Sequence, residues 1–581
     1  MKGGGLSRRP PRLRIIRVSR LYRSRVLIVV LIGAPILLYF LMFARFSVDI
    51  PFGDDYAVLS FVVNFTNPHI PGKLPLLFSQ HNEHRIVTLR LVSLVFYSVA
   101  HRIDFISIAL LGNLGLLGIA WLIPKFSTPP VGFSSRPASR SRTRLWPWLP
   151  VVTLLFQPQH HEILKWAMCS FTNVFVILFS FLAIYFLGRS DDRRSFALAV
   201  GLSILAAYTN GNGVFVFLIG LLLLLTKKRF QHLAWWVGIG VFYIGFYFRG
   251  YMKNPDHPDA LIFLKTSFLK VVEYFFSVLG SFADFGKGAP LIPIAVGILV
   301  FLGLWLALEK KIHKKNVVLA SLLGFLVLSL MANALTRAPM GLYMAFMPRY
   351  KFLSVLMLIL LYQSALELSD RKNAVVVAFT VFAVAFSSYS FARNYAAVRD
   401  NKVVLRVNMR EWDARKADLP YPNPEHAETI LRLAAQRHIY QPPPGLNIRR
   451  LEYPFGAVDG GRDVEVKGRD EMIFSGWALD NSGRPSVIVR SEAAASEPGS
   501  SGPRDGRLFL GKAVFKNESI LQAERSFYGF PGTERMIWEF RFKAGEVVRR
   551  LPQLDKIKIL FYARDRIGQE TLIGTRTIRP K

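Results

Sequence analysis

Residues 292–308 read IPIAVGILVFLGLWLAL and residues 213–225 read GVFVFLIGLLLLL, two runs without a single charge. With their flanks such runs are long enough to cross a hydrocarbon core of about 30 Å as helix. The rest of the chain agrees with them. Of 581 residues, 52% are hydrophobic, 13% aromatic and only 19% charged, where a soluble chain carries about 25% charged residues. Further apolar stretches lie at 26–44, 86–100, 105–124, 146–158, 170–188, 195–209, 231–249, 316–335, 351–368 and 373–391. The pattern is that of a polytopic α-helical membrane protein.

Lysine and arginine outnumber aspartate and glutamate by 73 − 39 = 34. That excess sits in short blocks between apolar runs, where it sets membrane orientation, so it argues against a nucleic-acid partner. One cysteine, Cys169, excludes an intrachain disulfide framework, a four-cysteine zinc site and a CxxC redox centre; it reads as core packing. Residues 1–25 hold nine lysines and arginines and no acid, and they read as a basic cytoplasmic N-terminus before a retained first span.

Parity decides the status of 86–100, IVTLRLVSLVFYSVA, which is short and contains Arg90. If it spans, the basic loops at 125–145, 189–194, 227–229 and 310–315 all fall outside. If it lies along the outer surface, all four fall in the cytoplasm with the N-terminus. The second reading gives about eleven transmembrane helices, a first external loop at 45–104, and an external C-terminus. Beyond 392 the composition turns polar. Residues 392–450 read as a linker with an amphipathic helix, HAETILRLAAQRHIY. Short alternating segments then recur from 451 to 581, among them MIFSGWALD and KIKILFYA, separated by Gly/Pro/Ser/Asp clusters. This spacing predicts an external β-sandwich, with Trp477 in its core.

Four loops on the same expected side concentrate polar residues. VDIPFGDDY supplies Asp49, Asp54 and Asp55, and FSQHNEHR supplies His81, Asn82, Glu83, His84 and Arg85. FQPQHHEILKW brings His160, His161, Glu162 and Lys165, and LTRAPMGLYMAFMPRYK brings Arg337, Arg349, Tyr350 and Lys351. TNGNG at 209–213 reads as a tight turn between two spans. This inventory suits group transfer from a phosphate-linked donor. A carboxylate, Asp54 or Asp55, takes a proton from an attacking hydroxyl, and arginine grips phosphate in a planar, bidentate way. His81, Glu83, His84, His160, His161 and Glu162 shape the site or hold a divalent ion such as magnesium or manganese. Each group also has a plainer reading: capping or solvated aspartates, a polar interfacial loop, a snorkelling arginine.

The layout resembles the GT-C superfamily of integral-membrane glycosyltransferases, which includes protein mannosyltransferases, oligosaccharyltransferases and the aminoarabinose transferase of lipid A. Those enzymes carry a catalytic acidic residue or pair in the first external loop, juxtamembrane helices in the same loop, and in many members an external C-terminal domain. Here Gly53-Asp54-Asp55 takes the acidic position, 86–100 the juxtamembrane helix, and 26–391 the GT-C-like domain. Where relatives of the aminoarabinose transferase often have Pro-Pro-Leu before the surface helix, this chain has His-Asn-Glu-His-Arg, which marks a divergent bacterial branch.

The resemblance implies a polyprenyl-phosphate-linked sugar as donor and an envelope glycan, lipid or protein as acceptor, at the outer face of a bacterial inner membrane. Asp54 and Asp55 would be catalytic, and Arg85, Arg337, Arg349 and Tyr350 would bind the donor phosphate. Two rivals predict different structures. A transporter or flippase of lipid-linked glycans would bury ionisable groups at midplane depth. A non-catalytic scaffold presenting the C-terminal domain would leave Asp54, Glu83 and Arg349 far apart.

Overall fold

The computed structural model describes residues 25–443, apart from 128–144, 190, 254–257, 287–289 and 416–423, and beyond 443 the residues of nine strands. The basic N-terminal block and most of the loop at 125–145 therefore lie outside the described residues, as does the side chain of Trp477. Among the described residues, seven helical segments are long and apolar enough to cross a membrane: Val26–Phe46, Phe105–Phe126, Ala167–Arg189, Leu291–Glu309, Val317–Met340, Pro348–Leu368 and Lys372–Lys402. Large apolar side chains such as Val26, Leu37, Leu299, Trp305 and Phe382 stand exposed on such helices. An apolar surface of this kind faces lipid, not water.

The first helix, α1 (Arg25–Phe46), leads into the loop helices α2 (Asp55–Thr66), α3 (Lys73–Phe78) and α4 (Val87–Ala100). Next come α5 (Phe105–Leu122), the short α6 (Trp148–Leu155) and α7 (His161–Lys165), then α8 (Ala167–Arg189). The stretch expected to span at 146–158 is thus a helix of eight residues. At 1.5 Å per residue it covers about 12 Å, and the chain then breaks at Phe156, where Pro158 opens a turn of tighter helix. Helices α9 (Arg193–Ala207), α10 (Phe215–Thr226) and α11 (Phe230–Phe248) occupy the next three expected spans, at 15, 12 and 19 residues.

The remaining helices are α12 (Ala260–Thr266), α13 (Phe268–Leu279), α14 (Leu291–Glu309), α15 (Ile312–Lys315), α16 (Val317–Arg337) and α17 (Pro348–Leu368). They end in α18 (Lys372–Arg415) and α19 (Pro424–Gln436). Helices α8 and α17 lie at the centre of the bundle, each 72% buried over its most apolar window, whereas α14 and α18 are only 28% buried. A polar knot holds the centre. Asn113 on α5 accepts from the Tyr39 hydroxyl of α1 at 2.6 Å and donates to Ser170 of α8 at 3.1 Å and to the Ile163 and Leu164 carbonyls of α7. Hydrogen bonds of this kind fix the register of helices that the hydrophobic effect alone cannot orient in lipid.

Helix α18 continues well past the expected end of its span at 391. Its 44 residues extend about 66 Å, more than twice the hydrocarbon thickness. Lys402 on this helix donates to the Arg45 carbonyl at the end of α1, so α18 emerges on the side of the first loop. There α19 packs on α2 through Ala427, Ile430, Leu431 and Ala434, all buried. The segment after it is fastened by Tyr440, which donates to the Asp49 carbonyl at 2.7 Å, and by the Ile103 amide, which donates to the Ile439 carbonyl at 2.7 Å. The first loop and the chain leading to the C-terminal domain therefore share one end of the bundle.

Strands β1 (Gly456–Val458), β3 (Glu471–Asp480), β6 (Val514–Ser519) and β7 (Glu534–Lys543) form one sheet, in the order β1-β3-β7-β6. A second sheet has the order β2-β9-β8-β4-β5, from β2 (Asp463–Val466), β4 (Ser486–Glu492), β5 (Arg507–Lys512), β8 (Ile557–Arg564) and β9 (Glu570–Pro580). All neighbours are antiparallel except β2 and β9. The stretch RLFLGKAVF, which the sequence presents as one segment, divides between β5 and β6 in different sheets.

Candidate functional site at the first loop

The Gly53-Asp54-Asp55 turn is dictated by its glycine. Gly53 has φ +54°, in the left-handed region, and a Cβ there would stand 2.8 Å from the Trp166 ring. The turn delivers two aspartates with opposite fates. Asp55 is 1% exposed, and its two carboxylate oxygens accept the amides of Phe52 at 3.2 Å and Met168 at 2.8 Å. Burial, with the neighbouring Asp54 charge, pushes its carboxyl up to about 8, although the amide bonds pull the other way. Asp55 is a clamp between the loop and the start of α8.

Asp54 has a side chain 38% exposed, with Oδ1 3.7 Å from His81 Nε2. Partial loss of water raises its carboxyl. The neighbouring His81, followed by the charge of Arg349, outweighs that and holds it below the usual carboxylate range. Asp54 is therefore ionised at neutral pH and reachable by a ligand.

His81 is delivered by a tight turn. The amides and carbonyls of His81 and His84 exchange hydrogen bonds at 2.7 and 2.9 Å around Asn82, which has φ +47°. The turn also presents Glu83, whose Oε2 lies 2.8 Å from Arg337 Nη2. His84 is half-buried, with its Nδ1 enclosed, without a hydrogen-bond partner among the described residues, and facing the Gly211 backbone; a Cβ at position 211 would lie 2.6 Å from that nitrogen. Burial, reinforced by the Arg337 charge, pushes the His84 imidazole down to about 4, so it is neutral near pH 7.

Arg349 completes the group. Its Nη1 and backbone amide donate to Glu162 Oε2 at 3.0 and 3.3 Å, and its guanidinium lies over the rings of Trp166 and Tyr350 at 5.5 and 5.0 Å. Tyr350 is held between Arg337 and Arg349. Beside this cluster opens a cavity of about 590 Å³ lined by Glu83, His84, Arg337 and Tyr350, and also by Asn212, Asn333 and the exposed Lys253. Asn212 donates to Ser329 at 3.3 Å while its Oδ1 is buried without a partner.

The structure thus brings together Asp54, His81, Glu83, His84, Arg337, Arg349, Tyr350 and Glu162. Three expected site residues stand elsewhere. Arg85 is a backbone clamp, donating from all three side-chain nitrogens to the carbonyls of Phe78, Tyr247 and Arg249, so three of its five N–H donors are spent on holding the loop. His160 is fully buried between the rings of Tyr39 and Phe352. His161, next to it on the chain, is buried within electrostatic reach of Lys165 and Lys351, and no hydrogen bond among the described residues ties it to the Arg349–Glu162 pair.

Among the described residues no three His, Cys, Asp or Glu side chains gather where they could hold a metal ion. Of the expected ligands, Glu162 is engaged by Arg349 and Glu83 by Arg337.

Two contributors escaped the sequence reading. Tyr251 and Lys253 line the cavity from the end of α11, and Lys253 pairs with Asp259 at 2.7 Å. An aromatic and a cation just past a span, in FRGYMK, were the signal. The TNGNG turn, read as a plain connection, places Asn210, Gly211 and Asn212 on the cavity wall. Comparison of the chain with protein-family profiles, curated proteins and solved structures finds no match in any of the three.

Proposed function

We propose that this protein is a membrane glycosyltransferase of the GT-C type, moving a sugar from a polyprenyl-phosphate donor to a cell-envelope acceptor. The observation that carries the reading is an ionised, solvent-reachable Asp54 paired with His81, within electrostatic reach of Arg349. A scaffold has no use for such convergence.

In this reading the acceptor hydroxyl loses its proton to Asp54 as its oxygen attacks the anomeric carbon from the face opposite the phosphate. The bond from anomeric carbon to phosphate oxygen breaks, and its electron pair leaves with the phosphate. Arg337 and Arg349, pre-oriented by Glu83 and Glu162, neutralise that developing charge. Configuration at the anomeric carbon inverts. Arg85 and Asp55 drop out of the chemistry and become supports.

The finer architecture belongs to the same proposal: about eleven spans, a cytoplasmic N-terminus, a bacterial inner membrane, and the two sheets as an external β-sandwich. The partners are the lipid-linked donor, an envelope glycan, lipid or protein acceptor, and membrane lipid.

The test is complementation of a deletion strain, with mass spectrometry of surface glycans and of polyprenyl-phosphate sugars. Asp54→Asn should express normally, abolish transfer, and let the lipid-linked sugar accumulate. Wild-type glycans in the Asp54→Asn strain would remove the base and the mechanism with it.

A further inference from the structure

A second cavity, of about 960 Å³, lies away from the first loop, in a groove between α14 and α18, which both pack on α17. Its walls are apolar: Leu299 and Leu306 from α14, Leu361 from α17, Phe379 and Phe382 from α18. From Val296 to Lys310 it follows about 21 Å of helix, more than the depth of one leaflet of a core about 30 Å thick.

The two ends of the groove differ in kind. One end is closed by rings: Phe282 and Phe285 pack on Phe386 at 5.9 and 5.7 Å between centroids, and Phe285 on Tyr389 at 4.5 Å. This closed end adjoins the Lys351–Asp284 ion pair at the start of α17, two residues from Arg349. The other end carries Lys310 and Arg371, both exposed, with Ser369 and Asp370 beside them. The chain around it is basic: Lys310, Lys311, Lys314, Lys315, Arg371 and Lys372 against Glu309, Glu367 and Asp370, a local excess of 6 − 3 = 3.

The position of the charge decides the occupant. A polyprenyl-phosphate donor would present its phosphate at the Arg349 end, where this groove is sealed by aromatic rings. Its cations stand at the far end of α17, whose 21 residues span about the full thickness of the bilayer core. We propose that the groove binds an anionic glycerophospholipid from the leaflet opposite the Asp54 site. Its acyl chain lies along the apolar wall and its phosphate on Lys310 and Arg371. Basic pockets between membrane helices hold anionic headgroups in this way.

The site stands on the groove and its charges and does not depend on the glycosyltransferase reading. The full-length protein, purified in mild detergent and delipidated, would be reloaded with phosphatidylglycerol or with phosphatidylcholine of the same chains, and retention read by native mass spectrometry. Wild type should retain phosphatidylglycerol preferentially. Lys310→Gln/Arg371→Gln, at two exposed positions, should lose that preference by roughly fivefold for each cation removed. Gly303→Leu, which fills the groove, should lower retention of both lipids.

A photoactivatable phosphatidylglycerol should label α14, α17 and α18 in the wild type, whatever the variants do. Inorganic phosphate in excess should not displace the lipid. Equal retention of the two lipids by wild type, an unchanged preference in the double variant, labelling spread evenly over the bundle, or displacement by phosphate alone would each overturn the site.

Discussion

Two adjacent aspartates show how far environment separates identical side chains. Asp54 keeps contact with water and a histidine partner, whereas Asp55 is sealed against two backbone amides. The sequence could not rank them, because the difference comes from the start of α8, more than a hundred residues away. The sign of the Asp55 shift gives a test. A carboxyl raised from 3.8 to about 8 stabilises the fold fully below pH 3.8, where both states are protonated. As pH rises from there toward 8, the unfolded chain ionises and the folded chain does not, and that stability is lost. Asp55→Asn keeps an acceptor and cannot ionise, so thermal unfolding in detergent should depend less steeply on pH between about 4 and 8. Asp55→Ala should cost about 1–3 kcal/mol through the stranded amides. An unchanged pH slope in Asp55→Asn would show that the carboxyl is already ionised in the folded protein.

At the scale of elements, the helices and strands were largely legible, since apolar runs and alternation report burial directly. Seven of the expected spans are long apolar helices, and strands fall on each alternating segment quoted from the C-terminal domain. The breaks were harder to read. Within 146–158 the one local signal for the stop is Pro158, which disfavours helix at Gln157, and the packing around Gln157 holds the break in place. Gln157, wholly buried, accepts from the Gln159 amide at 2.6 Å and is held by Ser390 of α18. That break is what lets α7 lay Glu162 against Arg349 at the head of α17. Arg349→Ala should therefore lose about 3–5 kcal/mol, since it strands a carboxylate with no exposure to water. Glu162→Gln/Arg349→Gln removes both charges and should recover much of that stability, read by thermal unfolding, without recovering transfer. Recovery of transfer as well would make the pair purely structural and take Arg349 out of the donor site.

For the molecule as a whole, the sequence points to which loops converge more firmly than to which side they face. Orientation was inferred from lysine and arginine blocks, and part of that signal, residues 1–24 and 128–144, lies outside the described residues. The structure adds an independent constraint. Lys402 reaches the end of α1, and Tyr440 reaches Asp49, so both points share a side with the first loop. The basic turn at 310–315 lies at the opposite end of α14 and α17, beside the start of α18, where Lys315 donates to the Glu367 carbonyl. The single cysteine, Cys169, is buried, which makes the native chain a quiet background for labelling. Gln436→Cys and Lys314→Cys, at two exposed positions, should then respond oppositely to a membrane-impermeant maleimide applied to intact spheroplasts. Position 436 should label at once and position 314 only after the membrane is permeabilised, because positive blocks stay on the cytoplasmic side. The reverse pattern would invert the topology and place the Asp54 site where no envelope acceptor could reach it. Labelling of both in intact spheroplasts would mean that α14 and α17 do not carry the chain across the bilayer between the two positions, and the membrane arrangement itself would fall.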